Sequence, residues 1–343
     1  LSIFGNDLGV DLGTTSVLLS TRGKGVIMRE PAVVAVDKVT GRLLNVGMAA
    51  QRMLGRTPGN VIAIKPMHEG VISDYDMTER MLKEFVRKAL SFALIKPRLI
   101  ISVPSGITEV EERAVIDVGV GAGARKVYLM EAPLAAAIGA GLDISKPDGH
   151  MVVDVGGGTT DIAVLSLSGV VESASLKAGG DVFDDSLIKF IKRKHNVLIG
   201  ETTAEELKKS IGCVFPRPEI VAVEVKGRCL LTGLPRVVAI SSTDVLEAFE
   251  DVIETIIETI HEVLEATPPE LVADISDNGI ILTGGNSQLW GFDKLVSSRT
   301  SIVTYTADDS DLCVANGLAK ALNWVGDMEE GTINLGRRKQ MRI

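Results

Sequence analysis

Two short segments hold the residues best suited to chemistry: Val10-Asp11-Leu12-Gly13-Thr14-Thr15-Ser16 and Val153-Asp154-Val155-Gly156-Gly157-Gly158-Thr159-Thr160-Asp161. Each follows an apolar run and precedes another, so each reads as strand, tight turn, strand. Glycines in such turns let backbone N–H groups approach phosphate oxygens, and the leading carboxylate points toward a hydrated Mg²⁺. One such turn alone is an ordinary glycine hairpin. The same wording twice points to a single nucleotide phosphate chain held from two sides.

The elements that must position these turns follow from periodicity. In the first half, strands are expected at 8–12, 16–20, near 32–37, at 99–103 and 127–130, with helices near 78–90, 108–121 and 132–141. The second half restarts the plan as a weak repeat of a β-β-β-α unit: strands 151–155, 161–167 and 170–177, then helices near 181–194 and 203–212. Strands near 220–225 and 236–240 and a long helix near 243–266 follow. In that helix Val245, Leu246, Phe249, Val252, Ile253, Ile256, Ile257, Ile260, Val263 and Leu264 form one apolar stripe, which is core packing. Thr267-Pro268-Pro269 ends it, because proline cannot donate the next hydrogen bond. A final strand, 279–282, enters Thr283-Gly284-Gly285-Asn286-Ser287 and a helix. The polar, then basic, stretch after Trp324 is expected to fray.

The chain has 343 residues, 45% of them hydrophobic, enough for large cores in two domains. Its net charge of −9 provides no field for nucleic acid, which is not expected as a partner. Cys213, Cys229 and Cys313 are odd in number and form no CxxC pair, which suits free thiols in a reducing cytosol. No apolar run is long enough to span a bilayer, and the first residues are too short and uncharged for a signal peptide, so a cytoplasmic chain is expected. His68, His150, His195 and His261 are scattered and read as non-ligands.

The set Asp11-Leu-Gly-Thr-Thr, Asp154-Val-Gly-Gly-Gly-Thr-Thr and Leu282-Thr-Gly-Gly285 resembles the two phosphate motifs and the adenosine motif of the actin, heat-shock-70 and sugar-kinase superfamily. More narrowly, Met53-Leu-Gly-Arg-Thr-Pro-Gly-Asn60, Ile64-Lys-Pro-Met67 with Gly70-Val-Ile-Ser-Asp-Tyr75, Pro104-Ser-Gly-Ile-Thr108 and Ala266-Thr-Pro-Pro-Glu-Leu271 resemble the MreB family, the bacterial actins of cell-shape control. The resemblance spans roughly residues 7–322 and implies an α/β, actin-like ATPase fold of two ribonuclease-H-like domains, each with a small inserted subdomain. On that pattern residues 1–31, 66–140 and 308–343 form subdomain IA and 32–65 form IB. Residues 141–178 and 244–307 form IIA, and 179–243 form IIB.

The same resemblance implies ATP and Mg²⁺ as cofactors. Asp11 and Asp154 would hold the metal through water, with Gly13, Thr14 and Thr15 on one side of the phosphates and Gly156, Gly157, Gly158 and Thr159 on the other. Gly284 and Gly285 would leave room for the nucleoside. Glu205 and Lys208, at i and i+3 on one helix face, would reach the ribose and base; without the resemblance they read as a surface ion pair. The family's water-positioning glutamate precedes a proline directly, whereas here the order is Glu131-Ala132-Pro133, which puts Ala132 in that position. Alanine cannot accept a hydrogen bond from water, and a side chain one residue away on a helix points about 100° off. Glu131 is either the nearest replacement or a favourable charge at a helix N-terminus, and Thr159 remains to position water. Asn286-Ser287-Gln288 also departs from the family, which more often has glycine and small or apolar residues there.

By resemblance the partners are further copies of the chain in filaments, the inner face of the cytoplasmic membrane, and the membrane proteins of the cell-wall elongation machinery, which together direct cell-wall synthesis and rod shape. Membrane contact would come from Leu1, Ile3 and Phe4, or from Leu90-Ser91-Phe92-Ala93-Leu94-Ile95-Lys96-Pro97-Arg98, with Lys96 and Arg98 at anionic headgroups. The latter stretch reads equally as a helix end leading into a strand. Two other readings stand beside this one: a paralogue that co-polymerises but hydrolyses ATP slowly or not at all, and a small-molecule kinase or chaperone-type ATPase of the same superfamily. The chain ends soon after its last expected helix, which leaves no peptide-binding domain for the chaperone. The inserts offer no recognisable acceptor site for the kinase.

Overall fold

A computed structural model describes residues 7–55, 59–90, 95–326 and 331–333. Two large sheets organise it, and they repeat one topology. In the first, strand Leu8–Leu12 lies between its antiparallel hairpin partner Ser16–Thr21 and the parallel strand Arg98–Val103. Gly25–Pro31 flanks one side and Lys126–Glu131 the other. In the second, His150–Val155 lies between antiparallel Thr160–Ser166 and parallel Ile280–Thr283, flanked by Gly169–Leu176 and Thr304–Thr306. The repeat expected from sequence is therefore structural, and both glycine turns join the first two strands of a sheet.

Two helices, Ala132–Ala140 and Cys313–Ala321, pack against each other in a core shared by both sheets. Ile100 and Met130 enter it from the first sheet, Val152 and Ala163 from the second. Ala135, Ala136 and Gly139 on one helix and Gly317 on the other make the approach close. A Cβ on Gly139 would collide with the Cys313 carbonyl, and one on Gly317 with the Ala135 carbonyl. Backbone cannot swing aside as a side chain does. Gly139→Val is therefore expected to lower stability by about 3 kcal/mol or more, read as a fall in the thermal midpoint.

Each half has a separate core. The first packs Met81, Leu82 and Phe85 of helix Tyr75–Ala89, together with helix Glu109–Gly121, on its sheet. The second buries the stripe of helix Ser242–Ala266, with Phe183 meeting Phe249 edge-on at 4.7 Å between ring centres. Two three-stranded sheets stand apart from the large ones: Leu43–Val46, Val34–Asp37 and Val61–Ile64 in the first half, and Val197–Leu198, Ala222–Cys229 and Pro235–Ser241 in the second. The latter is joined by helix Glu201–Ile211.

Several elements differ from the sequence expectation. Gly25–Pro31 is a strand of mixed exposure whose apolar run is only Val26-Ile27-Met28. Pro268 and Pro269 end one helix and begin another, Pro269–Asn278, because proline at a first helical position lacks only an N–H that has no helical partner there. The Gly284 turn leads first into a 3₁₀ turn, Gly285–Gln288, and only then into helix Phe292–Thr300. The tail does not simply fray: Gly331–Ile333 pairs in parallel with Tyr128–Met130 at the sheet edge. Leu1, Ile3, Phe4, residues 91–94 and the basic end lie outside the described residues. Arg98 does not wait for headgroups, since its guanidinium donates to Asp7 at 2.6 Å and its backbone N–H donates to the same carboxylate at 3.0 Å.

Candidate functional site

Between the two halves lies a cleft of about 850 Å³, lined by both glycine turns, the Gly284 turn and helix Glu201–Ile211. The turns share one geometry. The Gly13 N–H donates to the Ser16 carbonyl at 3.1 Å, and the Gly156 N–H donates to the Thr159 carbonyl at 2.8 Å. They also face each other closely. A Cβ on Gly157 would strike Thr15, and one on Gly158 would strike Thr14. Gly70, at φ 77°, closes the wall by donating its N–H to Thr14 Oγ1 at 2.9 Å. Glycine is required on the second turn because a side chain there would drive the two turns apart, and their contact brings backbone N–H groups from both halves to one place on the cleft wall.

The two leading carboxylates flank this gap from the central strands. Asp11 accepts from Ser102 Oγ at 2.8 Å, and Asp154 accepts from Thr283 Oγ1 at 2.6 Å. Burial raises Asp11 to about 6 against the pull of Ser102 and Arg29. Asp154 rises to about 7 through burial, opposed by Thr283 and reinforced by Asp161 and Asp11. Among the described residues no group of three or more His, Cys, Asp or Glu could hold a metal directly. Two carboxylates with few other protein oxygens instead fit Mg²⁺ held through water and a ligand's phosphates.

This pair gives a signed pH dependence. Both folded-state values lie above the ordinary aspartate value of 3.8, so the stability they contribute is fully present below that value and is lost as pH rises from there through about 6 and 7. In ligand-free thermal unfolding, the parent chain is expected to lose ground to an Asp11→Asn/Asp154→Asn double variant over that rise, by on the order of a few kcal/mol. A parallel pH profile for the two proteins would contradict the assignment.

Around Thr159 a hydrogen-bond chain crosses between the halves. Thr159 Oγ1 donates to Asp161 Oδ2 at 2.8 Å, the Ser105 N–H donates to Asp161 Oδ1 at 3.2 Å, and Ser105 Oγ donates to Glu131 Oε2 at 2.9 Å. Burial raises the Asp161 pKa despite these donors. Ala132, the first residue of its helix, lies on the cleft wall; Glu131 caps that helix and is not among the lining residues. Lys65 also bridges the halves, 3.2 Å from Glu201 and 3.5 Å from Asp181.

Beside the second glycine turn, Gly284, at φ 84°, sits against the Val155 backbone, where a Cβ would collide with the Val155 carbonyl. Gly285 adjoins it on the cleft wall. Asn286 Nδ2 donates to the Gly156 carbonyl at 2.8 Å, tying this turn to the second glycine turn. Glu205 and Lys208 both line the cleft, but not as an ion pair. Glu205 pairs with Lys209 at 2.6 Å, while the buried Lys208 ammonium donates to Asp184 at 3.0 Å and to the Gly180 carbonyl at 2.8 Å. Burial pushes Asp184 up to about 6 against that ammonium, and its Oδ1 has no hydrogen-bond partner among the described residues.

Every residue that the sequence assigned to the phosphates, metal, nucleoside or hydrolysis, except Glu131, therefore lines one cleft. Sequence reasoning gave no role to Lys65, Gly70, Ser102, Ser105, Asp184, Arg217 or Trp290. Asp161 was legible in principle, standing at the end of the second motif. Arg217 and Trp290 meet only through the fold.

A sequence model of the MreB/Mbl protein family matches residues 5–330. The chain is 45% identical over 322 residues to the cell shape-determining protein Mbl of Bacillus subtilis (strain 168), covering 94% of this chain and 97% of that one. It is 45% identical over 337 residues to the cell shape-determining protein MreB of Escherichia coli (strain K12), covering 96% and 97%. MreB5 of Spiroplasma citri, 34% identical, superposes with a TM-score of 0.89 in crystal structures bound to ADP (95% of this chain, 100% of that one) and to AMPPNP (94% and 97%).

Proposed function

Because the chain belongs to the MreB/Mbl family of actin-like cell-shape proteins, we propose that it binds Mg·ATP between its two glycine turns and assembles into membrane-associated filaments that hydrolyse ATP weakly. The observation that carries the binding reading is the paired turn geometry, one turn from each half, meeting at a contact that only glycines allow. Backbone donors from Gly13 to Thr15 and from Gly156 to Thr159 would meet the phosphates. Mg²⁺, held through water by Asp11 and Asp154, would neutralise phosphate charge. The two nucleotide-bound MreB5 structures support a nucleotide in this cleft.

The chain's own residues account for weak hydrolysis. Ala132 presents a methyl group where an attacking water needs an acceptor, and Glu131 is engaged by Ser105. Thr159 has committed its proton to Asp161, which leaves its oxygen free to accept a hydrogen bond from water. One such acceptor orients water without a strong base behind it.

Cleft closure would set the shape of the subunit that adds to a filament, with Lys65 joining Asp181 and Glu201 across the mouth. A contact repeated head to tail gives an open filament when the rotation does not close a ring. Residues 1–5 and the 90–98 stretch without Arg98, which Asp7 holds, are the proposed membrane contacts, and the elongation machinery at the inner face of the cytoplasmic membrane the proposed partner. Among the described residues no helix is long and apolar enough to cross a membrane. The test is sedimentation with anionic liposomes: ATP is expected to drive the chain into a pelletable, filamentous form with little phosphate release. Failure to assemble with any nucleotide would sink the cytoskeletal reading.

A further inference from the structure

We propose that Arg217, braced by Trp290, recognises the nucleobase at the end of the cleft away from the glycine turns. This rests on the nucleotide reading above and deepens it. Arg217 follows helix Glu201–Ile211, and Trp290 follows the 3₁₀ turn Gly285–Gln288, so both extend the two elements assigned to the nucleoside. Both also line the cleft.

The pair is rigidly built. The Val214 N–H donates to the Trp290 carbonyl at 3.1 Å and the Trp290 N–H to the Gly212 carbonyl at 3.3 Å, so the two segments are stitched by their backbones. The Arg217 guanidinium carbon stands 5.2 Å from the Trp290 ring centre, and one terminal N–H donates to the Gly212 carbonyl at 3.0 Å. Its Nε, in contrast, is buried and has no hydrogen-bond partner among the described residues. That nitrogen is covered and beyond a ligand's reach, but Arg217 as a whole is only partly buried on the cleft wall, so a ring nitrogen or exocyclic oxygen of a base would accept from the outer edge of its guanidinium. The guanidinium is planar and held against a second plane, so it suits a flat heterocycle better than a flexible polyol.

The experiment uses a Trp324→Phe background, which leaves Trp290 as the single tryptophan and its fluorescence as the readout. Binding of Mg·ATP is compared with that of Mg·ribose 5-triphosphate, the same nucleotide without its base, for the parent, Arg217→Gln and Arg217→Lys. Arg217→Gln is expected to weaken ATP binding by about tenfold or more while leaving ribose triphosphate affinity unchanged. Arg217→Lys, which keeps the charge but loses the fork, is expected to recover only part of the loss. Equal weakening of both ligands, or unaltered ATP affinity in Arg217→Gln, overturns the assignment. If the parent binds ribose triphosphate but gains nothing from the base, base recognition fails while the phosphate clamp stands. If the parent binds neither, the nucleotide reading fails with it.

Discussion

The Ala132→Glu chain is expected to release phosphate from ATP at least about a hundredfold faster than the parent, the usual contribution of one well-placed acid–base group. Ala132 opens its helix where the core shared by the two sheets meets the cleft wall, so a longer side chain is accommodated by turning into the cleft. A carboxylate there also meets the positive end of the helix, which keeps it ionised and able to accept a hydrogen bond from water. Thr159 would supply the second contact to that water. ATP affinity should change little, so the gain belongs in kcat. Glu131→Gln is expected to leave the parent's residual rate unaltered, since that carboxylate is bound to Ser105 away from the cleft lining. Unchanged phosphate release in Ala132→Glu would show that Ala132 is not the missing catalytic position.

A second large effect is expected at Asp154, with opposite signs for stability and binding. Burial first, and the neighbouring Asp161 and Asp11 after it, push its pKa up to about 7, so the site disfavours that charge without a cation. An asparagine side chain at this position keeps an oxygen to accept the Thr283 hydroxyl and carries no charge. Asp154→Asn should therefore raise the thermal midpoint of the ligand-free chain at pH 8, while removing most of the Mg²⁺ dependence of ATP binding and at least about a hundredfold of affinity. Loss of binding with gain of stability cannot come from misfolding. Retained Mg²⁺-dependent binding would contradict the metal role, and a lower midpoint would contradict the account of its burial.

What could be read from the sequence was whatever repeats locally. The two Asp-x-Gly turns announce themselves because a phosphate turn needs its glycines and carboxylate within a few residues, and the strands around them alternate by the same rule. Helix Ser242–Ala266 was legible from its stripe. Contacts that form only across the fold left no local mark. Lys208 and Glu205 have the spacing of a pair, yet burial hands Lys208 to Asp184, which belongs to another helix. Arg98 looked like a headgroup anchor because its partner, Asp7, lies far away in sequence, ahead of the first strand. The proline pair at 268–269 was read as a stop and not also as a start, since one property, the missing N–H, serves both ends of a helix. Ala132 was conspicuous only against the family pattern; by composition alone it is one alanine among several.

The central claim is a clamp that holds ATP and cuts it poorly, and the most direct measurement is the identity of the nucleotide recovered from the protein after incubation with Mg·ATP and rapid removal of the excess. The expected result is intact ATP, about one per chain, with ADP appearing only in the Ala132→Glu protein. Recovery of ADP from the parent, or of no nucleotide at all, would contradict it.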